Sequence, residues 1–284
     1  MTSTEAMSPS AVSRKTRWWP PLPAIALLAI LVAVIFGPLV WNISPVAQSA
    51  SRFAAFSGSH PLGTDMYGRD LLARILTGGR WSLGGATAVC AGVSLVGFIV
   101  GSVAALGPRL LDAVLSRLIE SLLALPTLVV ALALSAVLGF AFNNLIVALI
   151  AAQWPWQARI FRMLILRELG SPYIDAAITL GVSRPVIVLR HIVPNIIGPG
   201  IVVATASLGS NILSLASLSF LGLGMQAPTP EWGIMIGESR LFFQTHPLQM
   251  IVPGIAIALT VLNANAFGDM LRDSADPNHN VPRR

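Results

Sequence analysis

Charged side chains are what this chain has least of. Only 11% of its 284 residues are Asp, Glu, Lys or Arg, where a soluble domain carries about a quarter. With 55% hydrophobic residues, most of the chain cannot be surfaced against water, so lipid is the expected solvent for its apolar side chains. Lysine is nearly absent, with Lys15 the single one. A phosphate-cradling P-loop needs a lysine after its glycines, so ATP hydrolysis by that route is excluded for this chain alone. Cys90 is the one cysteine and lies in an apolar run. That excludes a disulfide scaffold and reads as a small buried hydrophobe. No i, i+4 histidine pair or Cys/His cluster has metal-ligand spacing, so no metal site is assigned, and His60 and His246 read as structural or solvated. Nor is there an HExxH or intramembrane Ser/His constellation, so no catalytic residue is assigned and a membrane-embedded enzyme is disfavoured. The net charge of +6 is spread between apolar segments instead of forming one patch interleaved with aromatics, which speaks against nucleic acid as a partner.

What the chain has in plenty is long apolar runs. Residues 1–21 form a polar tail carrying Arg14, Lys15 and Arg17. The uncharged stretch 22–41 is too long for the 7–15-residue core of a signal peptide, so it reads as transmembrane helix one. Residues 42–81 form an outer segment, in which Asp65 is expected to cap a short amphipathic helix over 66–77. Its apolar face is Leu71, Leu72, Ile75 and Leu76, and Asp70 and Arg74 stand at i, i+4 spacing. Asp65, Arg69 and Asp70 either shape this interfacial helix or face a substrate.

Residues 82–270 form the core, with five more helices. Ser82 to Leu106 contains Gly97-x-x-x-Gly101, as expected where helices pack closely in lipid. An interfacial piece over 109–120 leads into a span from Leu122 to Phe142. A short span follows from Leu145 to about Ile160, with Trp154 and Trp156 as interface anchors near its end. The last two spans are Ile196 to Phe220 and Met250 to Phe267. Between them lies a Gly- and Pro-rich outer loop in which Glu231 and Trp232 are candidate contact residues on the outer side or, for Trp232, an anchor at the membrane interface. None of these spans buries an Asp, Glu, Lys or Arg near its centre, the usual mark of ion coupling. Residues 271–284 are a polar tail.

The stretch from 168 to 195 interrupts the apolar runs and organises the rest. Ser171-Pro172 gives a cap oxygen followed by proline at the first helical position, so a helix starts near Pro172. Gly181 suits the left-handed residue that ends it, and Ser183 before Pro185 signals a second start. Ile174, Ala177 and Ile178 share one face, and Ala176 and Ala177 are too small to hold another backbone away. Such a helix can seat in a groove.

The run Asp175-Ala176-Ala177, then Gly181, then His191-Ile192-Val193-Pro194-Asn195 resembles the EAA loop of the membrane subunits of binding-protein-dependent ABC importers. It departs from that pattern with Asp175 in place of Glu, His191 in place of Ile and Val193 in place of Leu. The words His60-Pro61-Leu62-Gly63-Thr64-Asp65 and Gly68-Arg69-Asp70 resemble the amino-terminal signature of the peptide and nickel permeases, and the loop at 217–240 looks like the peptide branch.

The resemblance implies an all-α integral membrane protein of about six transmembrane helices with the type I ABC importer permease fold. It implies a coupling helix contacting an ATPase through Asp175, Ala176, Ala177 and Gly181, in a loop that also holds Tyr173, Val182, Ser183, His191 and Pro194. The implied partners are a second homologous permease, two cytoplasmic ATPase subunits that bind the ATP and Mg, and an extracytoplasmic binding protein. No cofactor is expected on this chain.

Six spans put both termini on one side. The tails and the loops on that side hold Arg14, Lys15, Arg17, Arg109, Arg117, Arg159, Arg162, Arg167, Arg184, Arg190, Arg272, Arg283 and Arg284, against Arg52, Arg69, Arg74, Arg80 and Arg240 on the other. By the positive-inside rule the loop and both termini are cytoplasmic, in a bacterial inner membrane. The expected function is ATP-driven import of di- or oligopeptides. Nickel or another small solute is the alternative cargo, and an ion-coupled carrier is the rival from another class.

Overall fold

In the computed structural model, which describes residues 22–275, the chain is a bundle of α-helices. The tail 1–21, with Lys15, and residues 276–284 lie outside the described residues. In order the helices are α1 (Leu22–Val40), α2 (Leu71–Leu106), α3 (Arg109–Leu123), α4 (Thr127–Leu138), α5 (Phe142–Leu169) and α6 (Pro172–Thr179). There follow α7 (Arg184–Ile187), α8 (Val193–Ala206), α9 (Leu208–Phe220), α10 (Trp232–Ser239) and α11 (Leu248–Ala275). Among the described residues the β pairing is limited to an isolated bridge between Thr64 and Asp70.

Four elements are long and apolar enough to cross a membrane unaided: α1, α2, the run Arg184–Phe220 and α11. The pair α3 and α4, bent by 91° at its break, makes a fifth. Helix α5 has 28 residues, about 42 Å at 1.5 Å per residue, and is long enough for a sixth. Gln153, Gln157, Arg159 and Arg162 are what dilute its apolar character.

Several boundaries differ from expectation for local physical reasons. The amphipathic piece and the second span are one helix of 36 residues, α2. Its cap is Asp70, not Asp65: the Asp70 carboxylate accepts the Ala73 N–H at 2.7 Å. Asp65 is unavailable as a cap because Oδ1 already takes the N–H groups of Tyr67 and Arg69, in a turn where Gly68 sits at φ +73°. The span following Pro126 is shorter than expected. The next one is longer and runs to Leu169, so Trp154 and Trp156 are mid-helix residues and not end anchors. Of its arginines, Arg162 is paired: it holds Asp112 of α3 through Nε at 2.6 Å and Nη2 at 2.7 Å.

The Gly97 and Gly101 pattern does what lipid-side packing requires. A Cβ on Gly101 would stand 2.6 Å from the Ala158 carbonyl oxygen, and one on Gly97 2.8 Å from the Gln157 Cβ. Helices α2 and α5 therefore approach backbone to backbone. Three apolar clusters stack along the bundle. One gathers Leu83, Ile212, Trp232 and Met235, the next Val89, Leu145, Leu149 and Leu215, and the third Ile165, Ile174, Ile187, Ile192 and Ile196.

Candidate functional site

The polar interruption folds as its residues dictate. Pro172 opens α6, and the Ser171 carbonyl accepts the Ile174 N–H at 3.0 Å. The Ser171 hydroxyl does not cap α6, contrary to expectation: it donates backward to the Glu168 carbonyl at 2.6 Å, tying off the end of α5. Helix α6 closes in a Schellman arrangement. The Val182 N–H reaches the Ala177 carbonyl at 3.0 Å and the Gly181 N–H reaches that of Ile178 at 2.9 Å, with Gly181 at φ +80°. Ser183, in extended conformation, starts α7. Between α7 and α8 the segment Val188–Ile192 widens to a π-helical turn. Pro194 explains it: an α-helical register would ask proline for an N–H to the Arg190 carbonyl, and proline has none.

The buried isoleucines hold this arrangement to the bundle. Ile174 is fully buried among Ile165 of α5, Ile187 of α7, Ile192 and Ile196, with Ala177 and Val182 packed against them. Ile178 does not share that face in practice. It is 55% exposed and Leu180 is 83% exposed, so the outer side of α6 is an apolar strip with Asp175 and Ala176 exposed beside it. Tyr173 joins a small polar clasp. Its hydroxyl bonds Glu168, and the Asn195 side-chain amide donates to Tyr173 at 2.8 Å and to Glu168 at 3.2 Å. Partial burial and the adjacent Glu168 carboxylate raise the Tyr173 phenol's pKa, so it remains a protonated donor. His191 is half-buried, 6.2 Å from the Tyr173 ring, and Pro194 is exposed.

At the opposite end of the bundle, Asp65, Arg69, Asp70, Glu231 and Trp232 are all interior. Arg69 Nε reaches Asp65 at 2.6 Å, and Arg69 and Arg74 each place Nη2 2.8 Å from Glu238 Oε2. The expected Asp70–Arg74 pair is absent. Asp70 instead takes the Trp41 indole at 3.0 Å and His60 Nδ1 at 2.8 Å. Glu231 caps α10 by accepting the Gly233 and Ile234 N–H groups, and it takes the Ser82 hydroxyl at 2.7 Å. Trp232 is 1% exposed and donates its indole N–H to the Ile75 carbonyl at 3.0 Å, so it is a core residue and not an interface anchor. His246 stacks on Phe53 with ring centroids 3.9 Å apart. Glu238 and Ser82 complete this network from 169 and 149 positions away from their partners, and no local sequence signal marks them.

Between the two ends a cavity of about 1240 Å³ runs along α5, α8, α9 and α11. Gln153, Trp156 and Gln157 line it from α5, and Ser207, Ser210 and Ser214 from the junction and face of α8–α9. Arg167, Arg272 and Asp273 stand on its wall at the C-terminal ends of α5 and α11.

Residues 97–279 match the family described as binding-protein-dependent transport system inner membrane component. The chain is 37% identical over 254 residues to a dipeptide transport system permease protein, DppC, of Alkalihalophilus pseudofirmus, covering 89% of this chain and 84% of that one. It is 33% identical to the nickel transport system permease protein NikC of Escherichia coli K12, covering 91% and 94%. To the metal-staphylopine import system permease protein CntC of Staphylococcus aureus it is 36% identical, covering 89% and 90%. A solved structure of the inward-facing MetNI methionine ABC transporter has the same fold at a TM-score of 0.56 and 17% identity, covering 71% of this chain and 96% of that one. The chain therefore belongs to the binding-protein-dependent transport system inner membrane component family and is a multi-pass permease subunit of an ABC importer.

Proposed function

We propose that this permease carries small peptides inward across the bacterial cytoplasmic membrane, driven by two separate ATPase subunits and fed by an external binding protein. The observation that carries the coupling half of this reading is α6: a short helix, rigidly rooted through Ile174, with Ile178 and Leu180 exposed and without partners among the described residues. An apolar strip of this kind on a water-facing helix suits a groove in another protein. Asp175, Ala176 and Gly181 form the docking surface beside Ile178 and Leu180, Ala177 backs it against the isoleucine cluster, and Tyr173, Val182, Ser183, His191 and Pro194 hold it in position. Movement of the ATPases then shifts α6 and, through the isoleucine cluster, the cytoplasmic halves of α5 and α8. The arginine asymmetry supports a cytoplasmic loop and cytoplasmic termini. Asp65, Arg69, Asp70, Glu231 and Trp232 act as the scaffold of the outer end, since each is already engaged within the chain.

Peptide cargo is supported by the 37% identity to a dipeptide permease and by the amide-rich cavity wall. A metal or metal-chelate cargo is the second reading, favoured by the likeness to NikC and CntC. The test is reconstitution with the partner subunits and Gly181→Pro, which replaces a φ of +80° by the roughly −65° that proline imposes. ATP-dependent peptide uptake is expected in wild type, and no uptake from an inserted, assembled Gly181→Pro complex. Gradient-driven uptake by this chain alone, or full uptake by the variant, would overturn the proposal.

A further inference from the structure

We infer that the mid-span belt formed by Gln153, Gln157, Ser207, Ser210 and Ser214 is the cargo-contacting wall of this subunit, suited to a neutral, hydrogen-bonding cargo of the peptide class and not to a bare divalent cation. The inference rests on the importer reading and deepens it.

Depth is the first support. Gln153 and Gln157 lie about 16 and 22 Å along an α5 of about 42 Å and both line the cavity, so they sit where the hydrocarbon core is deepest. Side-chain amides are costly there unless they are satisfied or face water. Yet among the described residues Gln153 Nε2 and Gln157 Oε1 are buried without a hydrogen-bond partner, although Gln157 is only 1% exposed. Its Nε2 is taken by the Ser207 hydroxyl at 3.3 Å, and that hydroxyl donates to the Ala204 carbonyl at 2.7 Å. This fixes the amide so that its carbonyl remains free.

Geometry is the second. One free donor and one free acceptor stand one helical turn apart, a spacing of about 5–6 Å between the Cβ atoms. That is the pairing a peptide group, with its own N–H and C=O, can meet. Ser207, Ser210 and Ser214 recur at helical spacing on the facing wall, and Trp156, 57% exposed beside the glutamines, offers a flat surface to side chains.

Ligand chemistry is the third. A bare divalent cation surrendering its water needs carboxylate, imidazole or thiolate replacements. Among the described residues the cavity wall includes no His, Cys or Glu, and its one carboxylate, Asp273, stands beside Arg272 near the end of α11, not at the belt.

The test uses the complete importer in proteoliposomes, with Gln153→Leu and Gln157→Leu singly and together. Readouts are uptake of labelled di- and oligopeptides, uptake of nickel(II) alone, and ATPase stimulation by the loaded binding protein. The double variant should lose about tenfold in peptide uptake, the loss expected for one to two hydrogen bonds, with ATPase stimulation and assembly unchanged and Gln153→Asn restoring part of the uptake. Unchanged uptake in the double variant overturns the inference, and so does uptake lost together with assembly, which would make the belt structural. If wild type moves a metal chelate and no peptide, the peptide reading fails, and the same variants decide the belt by their effect on that cargo. Uptake of nickel(II) alone that survives both substitutions overturns it.

Discussion

The two ends of this bundle are held by opposite means. At the end opposite α6, Arg69 and Arg74, 2% and 1% exposed, share Asp65 and Glu238, so these four charges answer one another within the chain. At the other end α6 keeps its inner face in an isoleucine cluster and turns Ile178 and Leu180 to solvent. Charge pairs that tie Asp65, Arg69 and the first turn of α2 to α10 make this end a closed unit, because breaking any one pair strands another charge. An apolar root under a short helix does the reverse: it fixes the helix to its neighbours and leaves one side for something else. The difference separates a part closed on itself from a part with one apolar side left open.

The sharpest way to break the comparison is Arg74→Ala. It leaves Asp65 and Glu238 facing each other with one cation fewer in a buried site, at an expected cost of about 3–5 kcal/mol, read as a large drop in melting temperature of the detergent-solubilised protein. An unchanged melt would mean the outer end is not held by its charges. Next is Ile174→Ala, which opens a hole in the isoleucine cluster and should cost about 2–4 kcal/mol. It should release α6 first, seen as faster amide exchange over residues 172–182 with the outer loop still protected. Equal loosening of both ends would remove the distinction. The smallest effect on stability belongs to Ile178→Asp, within about 0.5 kcal/mol as for other exposed positions, with ATP-dependent uptake abolished. Retained uptake would show that this strip receives no partner.

Much of the α6 end was legible because its signals are local. Pro172, Gly181 and Ser183 each act on their own backbone, so the start, the stop and the restart of helix could be read where they stand. The Ile178 orientation was missed because one helix turn cannot say which side a neighbouring helix will cover. The end holding Asp65, Arg69 and Arg74 was hardly legible. Asp65 and Asp70 are each a plausible cap within one turn, and the choice between them depended on a Gly68 turn. Asp70 and Arg74 look like a helical pair, yet the guanidinium goes to Glu238, 164 residues away.

By itself the sequence determined that the chain is lipid-embedded and helical, because apolar run length and the shortage of charge are properties of composition and order. It also determined the loop over 168–195, since capping and proline chemistry act within a few residues. Only the tertiary structure decided which charges meet, that α2 runs unbroken for 36 residues, and that two glutamines at mid-span face a cavity. Those outcomes depend on distances between helices, and a linear pattern of residues carries no such distance.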